Sequence, residues 1–165
     1  MSTAALAPVV EHLPDGIVHV PLPTPFPVGP VNCYVLVEDP VTVVDPGGLW
    51  ADSAELLDGA LRAEGRSLAD VSQVVITHGH PDHFGAAGWL ADTADAVVLC
   101  GRPELPKLTM SVGRPSMVDL VDRLGIPATM RDTFRAFQEG VQRLSHPIDE
   151  RRVRLLDDGD VLTAG

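Results

Sequence analysis

The stretch at 74–88, VVITHGHPDHFGAAG, constrains the fold of this chain more than any other. It places three histidines and an aspartate within six residues, between an apolar run that predicts a buried strand and a run of small residues that predicts a helix. A proline inside the cluster prevents one helix from covering it. Because alternate residues of an extended segment point the same way, His78 and His80 are predicted to face one cation together. Asp82 follows two residues later, and His83 points elsewhere.

These side chains predict a metal site. Neutral imidazole and carboxylate groups bind zinc, and also iron or manganese, so His78, His80, Asp82 and His83 are the predicted ligands. The alternative is an ordinary polar loop in which Asp82 is the N-cap of the following helix. A chance H-x-H-x-D-H match is expected in roughly one in a thousand chains of this length, which favours the metal site. Residues 77–83 are called the metal loop below.

The remaining periodicity predicts a mixed α/β or α+β sandwich. Apolar runs predict strands at 16–22, 31–38, 41–45, 72–77 and 96–100, and helical spacing predicts helices at 51–64 and 85–92. The proline-rich run at 21–30 predicts an extended loop. A β-meander followed by a β-loop-α-β unit is typical of layered sheets and helices rather than of a bundle.

Two later segments are interpreted separately. Residues 103–147 predict a helical insert that either covers the metal cleft or packs on the sandwich. Its apolar side chains would then line a pocket or fill the core: Met110, Met117, Met130, Phe134 and Phe137. Residues 152–163, with the DDGD turn, predict a pair of short strands.

Composition excludes several classes of partner. The formal net charge of −11 argues against binding to nucleic acid. No apolar run reaches the roughly 18 residues of a membrane span, and no signal peptide is recognisable, so we expect a soluble, cytoplasmic protein without a membrane partner.

Cys33 and Cys100 are expected to be reduced, buried thiols. His12, His19 and His146 are expected to be surface or packed residues rather than ligands.

The sequence resembles the metallo-β-lactamase superfamily. THGHPDHFGAAG is similar to its H-x-H-x-D-H signature, LVEDPVTVVDPG (36–47) to its early hairpin, and PTPFPVGPVNCYVL (23–36) to the N-terminal region of glyoxalase II-like hydrolases. The resemblance implies an αββα sandwich with two metal ions, zinc in the complete family site. It implies that His78 and His80 bind the first ion and that Asp82 and His83 bind the second. Asp45 would steady the ligand loop or cap a turn.

The family pattern also contains ligands that this sequence lacks: a third histidine in an HxxGH-type strand end, a bridging aspartate and a last histidine. We therefore interpret the chain as the N-terminal half of the αββα sandwich, truncated within a single domain at 1–165. Its parts would be a core at 16–100 with the metal loop, the insert at 103–147 and the strand pair at 152–163. The uncovered sheet predicts association with another chain or a homo-oligomer, and we expect weak zinc binding and little turnover.

The predicted activity is metal-dependent hydrolysis of an ester, thioester or lactone/lactam bond by a metal-activated hydroxide. Asp82 is the predicted catalytic residue, since it would hold a metal and orient the hydroxide. The apolar insert favours a small-molecule substrate with an apolar acyl portion. One alternative is an iron-dependent persulfide dioxygenase of the same superfamily. The other is a non-catalytic, truncated binding or dimerisation module.

Overall fold

The computed structural model of the protein describes residues 9–50, 52–109, 125, 127–133, 136, 140 and 145–164. In this part of the chain, strands pair in chain order to form one seven-stranded sheet. Their bounds are Glu11–His12 (β1), Ile17–Leu22 (β2), Val31–Leu36 (β3), Thr42–Val44 (β4), Gln73–Ile76 (β5), Val97–Gly101 (β6) and Val153–Leu156 (β7). Strands β1 to β4 are antiparallel, whereas β4 to β7 are parallel.

Helices occupy the crossovers between the parallel strands. The described α-helices are Ser53–Ala63 (α1), Pro81–Phe84 (α2), Ala87–Ala94 (α3) and Leu105–Leu108 (α4). Short 3₁₀ turns lie at Pro14–Gly16, Leu68–Asp70, Arg102–Glu104, Ala128–Met130 and Glu150–Arg152. Among the described residues, no helix has the length and apolar character needed to cross a membrane.

The core lies on the face of the sheet that contacts α1 and α3. Strands β2 and β3 alternate, so that Val18, Val20, Cys33 and Val35 are buried while Tyr34 on the opposite face is only half-buried. The buried cluster continues through the parallel strands and the helices that pack on them, with Val43, Leu57, Leu61, Val74, Phe84, Leu90 and Val98. This packing fixes the helices against the strand ends that carry the metal loop.

Most predicted elements are confirmed, with ends shifted by one or two residues. The two-residue strand β1 was not predicted, because so short a segment carries no periodicity. The strand pair predicted at 152–163 is wrong in its second half: β7 is followed by a turn in which the Asp160 N–H donates to the Asp157 carbonyl, and described residues 161–164 form no strand. The Thr163 carbonyl instead accepts a 3.0 Å hydrogen bond from the Gln73 side chain.

The insert at 103–147 is described only in part. Residues 102–108 form a 3₁₀ turn and α4, and residues 131–133 are helical. Met130 is exposed, so it is not part of the buried core. The other four apolar residues for which a pocket or packing role was predicted lie outside the described residues: Met110, Met117, Phe134 and Phe137.

Candidate metal centre

The metal loop lies where parallel strands end side by side. Strands β4 and β5 pair with Val44 opposite Val75, and the Asp45 N–H extends this ladder by donating to the Val75 carbonyl at 2.9 Å. The next residues along each strand therefore emerge at one edge of the sheet, where ligands bind in folds with parallel strands. Asp45 leaves β4 at this edge, and Thr77 leaves β5.

Asp45 joins three parts of the site. Its side chain is buried and its backbone has a φ of 50°, a conformation that Asp adopts more readily than most residues. Oδ1 accepts a hydrogen bond from the Thr77 N–H at 2.9 Å. Oδ2 accepts from the Thr77 hydroxyl at 2.5 Å and faces His83 Nδ1 at 2.8 Å. Three donors thus compensate for burial of the carboxylate, and they connect β4, the metal loop and α2.

The order of these hydrogen bonds sets the tautomers of two histidines. The single Thr77 hydroxyl proton is donated to Asp45, so the Thr77 oxygen accepts from His78 Nδ1, 3.0 Å away. His83 Nδ1 also donates to Asp45. With Nδ1 protonated in both rings, each Nε2 carries a lone pair that is available to a cation. The proton positions follow from this pattern of donors and acceptors.

The predicted ligands lie close together. His78 Nε2 is 3.0 Å from His80 Nδ1, and the His78 and His83 ring centroids are 4.2 Å apart. Two nitrogens bound to one tetrahedral zinc at about 2.0–2.1 Å would be roughly 3.4 Å from each other, so the spacing suits a shared cation. Asp82 Oδ2 lies 3.9 Å from His83 Nε2. The four side chains converge, and their role as ligands stays a prediction.

A slightly different set also meets the spacing of a metal site. One ligand atom each from Asp45, His78 and His83 lies within 4.8 Å of the others. Asp45 was predicted to steady the loop rather than to bind metal, and both of its oxygens already accept hydrogen bonds. Its geometry fits the steadying role, because a carboxylate bound to a ligand histidine orients that ring.

Helix α2 excludes the alternative interpretation in which Asp82 is a helix N-cap. Helix α2 begins at Pro81, and the residue at its N-cap is His80, which has extended backbone and no capping hydrogen bond from its side chain. Asp82 lies inside the first turn, so its interpretation as the N-cap is wrong. The cause is the proline, whose fixed φ favours the first helical position.

The surroundings of His78 favour its neutral form. Burial lowers its pKa below 6.5, and the positive charges that His83 and His80 would carry lower it further, against the opposing effect of Asp45 and Asp82. Neutral imidazole is the form that binds metal.

Sequence reasoning missed Glu104. Its Oε2 accepts hydrogen bonds from the Gly79 N–H at 2.6 Å and from Lys107 Nζ at 2.7 Å. The hydrogen bond from Lys107 is the largest of the effects that lower the pKa of Glu104, and the bond from Gly79 adds to it. Nothing in the local sequence GRPELPK marks this glutamate, since the contact arises only from the pairing of β5 with β6.

The other histidines each contact a polar side chain, and the prediction that they are not ligands stays a prediction. His12 contacts Glu64 at 2.8 Å, His19 contacts Asn32 at 2.9 Å, and His146 contacts Asp92 at 3.1 Å. Cys33 and Cys100 are buried and free, as expected. Burial, followed by the charge of Asp45, raises the pKa of the Cys33 thiol.

Comparison with known proteins gives matches to one family. The model of the Metallo-beta-lactamase superfamily matches residues 26–163. The chain is 34% identical over 83 residues to the probable metallo-hydrolase YqjP of Bacillus subtilis (strain 168), a match that covers 50% of this chain and 26% of YqjP. It is 52% identical over 46 residues to Metallo-beta-lactamase domain-containing protein 1 of Homo sapiens, which covers 28% of this chain and 16% of that protein.

Solved structures match over most of the chain. The metallo-beta-lactamase family protein TTHA1429 from Thermus thermophilus superposes with a TM-score of 0.73 at 25% identity, covering 90% of this chain and 48% of that one. A beta-lactamase domain protein from Burkholderia ambifaria superposes with a TM-score of 0.72 at 22% identity, covering 99% and 49%. The chain thus spans about half the length of these structures and a smaller share of the curated relatives.

Proposed function

Because the chain belongs to the metallo-beta-lactamase superfamily, we propose that it supplies the metal loop of a metal-dependent hydrolase. Membership confirms the predicted family and its mixed α/β fold. The proposed reaction is hydrolysis of an ester, thioester or lactone/lactam bond in a small molecule. The hydrogen-bonded chain from Asp45 through Thr77 to His78, with its branch to His83, is the observation that carries this proposal.

The donor set fits a divalent cation, for which we propose zinc. His78 and His83 each present Nε2 when Nδ1 donates, and Asp82 adds a carboxylate. His80 Nδ1 donates to His78 Nε2 in this structure, and it would offer a lone pair to the cation after its proton moves to Nε2. Three imidazoles with a carboxylate are ligands typical of zinc sites. When bound, zinc supplies Lewis acidity and lowers the pKa of water to about 7.

The residues of this chain would hold and orient the reacting groups. Asp45 fixes the His83 ring directly and the His78 ring through Thr77. Asp82 is the proposed catalytic residue, because its half-buried carboxylate beside His83 Nε2 can accept a hydrogen bond from the water that attacks the substrate. Burial of Asp45 and the short contacts around it keep this arrangement rigid.

For the substrate, we propose a small molecule with an apolar acyl portion. The net charge of −11 disfavours a polyanion. The proposal places the protein in the cytoplasm and includes a homo-oligomer, or association through the face of the sheet that carries Tyr34. The location, the oligomer and the acyl portion are predictions from the sequence.

Metal binding tests the proposal first. Zinc content and a zinc titration would compare the wild-type chain with His80→Ala and Asp82→Ala, and with His12→Ala as a histidine control outside the site. We expect zinc to bind to wild type and to His12→Ala, and binding to weaken at least tenfold in the two loop variants.

Activity is then measured on a panel of ester, thioester, lactone and lactam substrates in the presence of zinc. Little turnover is expected from this chain, so hydrolysis is measured against a blank that contains zinc alone. Hydrolysis by wild type above this blank that is lost in Asp82→Ala supports the proposed reaction. Equal zinc affinity in wild type and His80→Ala contradicts the proposed metal site. Bound iron together with oxygen consumption would assign the site to the persulfide dioxygenase chemistry instead.

A further inference from the structure

We propose that Glu104 is a positioning residue of the metal loop: its carboxylate fixes the peptide that joins His78 to Gly79 and thereby sets the spacing of the two imidazoles on either side. This inference rests on the proposed function, because it assumes that His78 and His80 bind one cation. It adds a residue from a different strand crossover to the site, and it does not make Glu104 a ligand.

The first observation is the hydrogen bond itself. Glu104 Oε2 accepts from the Gly79 N–H at 2.6 Å. A hydrogen bond from a backbone N–H to a carboxylate is shorter and stronger than one between neutral groups. The same oxygen faces Lys107 Nζ at 2.7 Å, and the Glu104 side chain is only 17% exposed. Lys107 therefore restrains the carboxylate while the carboxylate restrains the loop.

The second observation is the close approach of the loop backbone to this ion pair. A Cβ at Gly79 would lie 2.7 Å from Lys107 Cδ, 2.8 Å from Lys107 Cβ and 2.9 Å from Glu104 Oε2. Gly79 does not have a positive φ, so glycine is needed here for space rather than for its conformational freedom. The packing leaves the peptide little room to move away from Glu104.

The third observation is that Asp45 and Glu104 restrain different parts of the metal loop. Asp45 holds His83 and, through Thr77, the Nδ1 side of His78. Glu104 acts one peptide later, between His78 and His80. The nitrogen atoms that face each other, His78 Nε2 and His80 Nδ1, are 3.0 Å apart. Restraint from two independent elements fixes that distance better than restraint from one.

The position of Glu104 follows from the sheet. Strands β5 and β6 are parallel, with Ile76 opposite Cys100. The chain leaves both strands at the same edge, and Gly79 and Glu104 then lie three and four residues beyond this pair. The 3₁₀ turn Arg102–Glu104 brings the carboxylate back over the metal loop.

The test compares Glu104→Ala and Glu104→Gln with wild type, and uses Glu55→Ala, an exposed glutamate on α1, as the control. Each chain is titrated with Co²⁺ and followed by visible absorption, and circular dichroism checks that it is folded. We expect Glu104→Ala to lower the Co²⁺ affinity by about 10- to 100-fold. Glu104→Gln keeps an oxygen that accepts from Gly79, so its affinity should stay within about threefold of wild type.

A second measurement does not depend on metal. Amide hydrogen exchange of Gly79 in the apo chain should accelerate in Glu104→Ala and remain slow in Glu104→Gln and Glu55→Ala. Unchanged Co²⁺ affinity in Glu104→Ala overturns the inference alone, as does an equal loss in the Ala and Gln variants. A wild-type chain that binds no Co²⁺ overturns the proposed function, and the positioning role falls with it.

Discussion

Asp45 and His83 are 38 residues apart in sequence, yet the carboxylate Oδ2 of one lies 2.8 Å from Nδ1 of the other. The contact is produced by two parallel strands that end at one edge of the sheet, followed by a single helical turn that carries His83 over Asp45. It has a chemical consequence, because a histidine that donates from Nδ1 offers Nε2 to a cation.

Asp45→Asn should therefore weaken metal binding without unfolding the chain. Asn adopts a positive φ readily, so the backbone at 45 is retained, but its amide cannot accept from Thr77 and His83 as the carboxylate does. We expect zinc affinity to fall by about 10- to 100-fold in a competition titration with a chromogenic chelator. Asp95→Asn is the matched control, since Asp95 also has a positive φ (55°) but is exposed; an equal loss in both variants would contradict the role of Asp45.

Phe84→Ala should be strongly destabilising. Phe84 follows His83 directly, and its side chain is 0% exposed within the main cluster. Removal of a fully buried Phe costs about 3–5 kcal/mol through lost burial and the cavity left behind. Urea denaturation measures the free energy of unfolding, with the exposed Val28→Ala as the control, for which a change below about 0.5 kcal/mol is expected. A loss under about 1 kcal/mol at Phe84 would show that the helix does not anchor the loop.

Gly88→Ala should destabilise helix α3 against the segment that packs on it. An added Cβ would lie 2.6 Å from the Pro147 carbonyl oxygen and 2.7 Å from the His146 carbonyl oxygen. These are backbone atoms in a segment that is bonded to the helix region, since the His146 N–H donates to the Gly85 carbonyl at 2.8 Å. We expect a loss of about 1–3 kcal/mol in the free energy of unfolding.

Gly140→Ala is the control for this substitution. Gly140 has helical backbone, and an added Cβ would meet no atom of the described residues within 4 Å. Alanine is favoured over glycine in a helix by up to about 1 kcal/mol, so this variant should be unchanged or slightly more stable. If thermal and urea unfolding show the same loss at both glycines, close packing is not the cause of the effect at Gly88.

Cys33 should make the protein less stable in alkaline solution. Burial, and then the charge of Asp45, raise the pKa of its thiol above the ordinary value of 9.0. Above about pH 9 the unfolded chain releases this proton while the folded chain keeps it. The contribution of Cys33 to the free energy of unfolding is therefore complete below about pH 9, and it falls by up to about 1.4 kcal/mol for each pH unit above that. Urea unfolding at pH 8 and pH 10 should show a smaller decrease in Cys33→Ala than in wild type, and equal decreases would contradict this.

The sequence is sufficient to predict the elements that hold the site, because each carries a local signal. Alternation at 16–22 and at 31–38 identifies strands that the structure forms, and the histidine spacing identifies the loop. The predicted ligands His78, His80, Asp82 and His83 do lie together. The extended segment accounts for His78 and His80, which face each other as predicted. The expectation that His83 points elsewhere is wrong, because Pro81 starts the helical turn α2, which carries His83 back beside His78.

What the sequence did not reveal depends on contacts between distant segments. Glu104 lies in a stretch without a local signal, and its contact with Gly79 arises from the register of β5 and β6. The role of Thr77 as the link between Asp45 and His78 likewise needs the pairing of β4 with β5. The prediction of a second strand after Leu156 was wrong for a related reason. A turn sequence does not indicate whether a neighbouring strand is available for pairing.

Gly47 forms main-chain hydrogen bonds on both sides, its N–H donating to the His83 carbonyl at 3.2 Å and its own carbonyl accepting from the Ala86 N–H at 2.9 Å. These two bonds join the segment after β4 to helix α2 and to the residue that precedes α3, without using any side chain. Because both bonds use peptide groups only, substitutions that keep the backbone conformation leave this connection in place. A protein engineer can therefore vary other side chains near this junction and keep the connection, provided that Asp45, His83 and Phe84 are left unchanged.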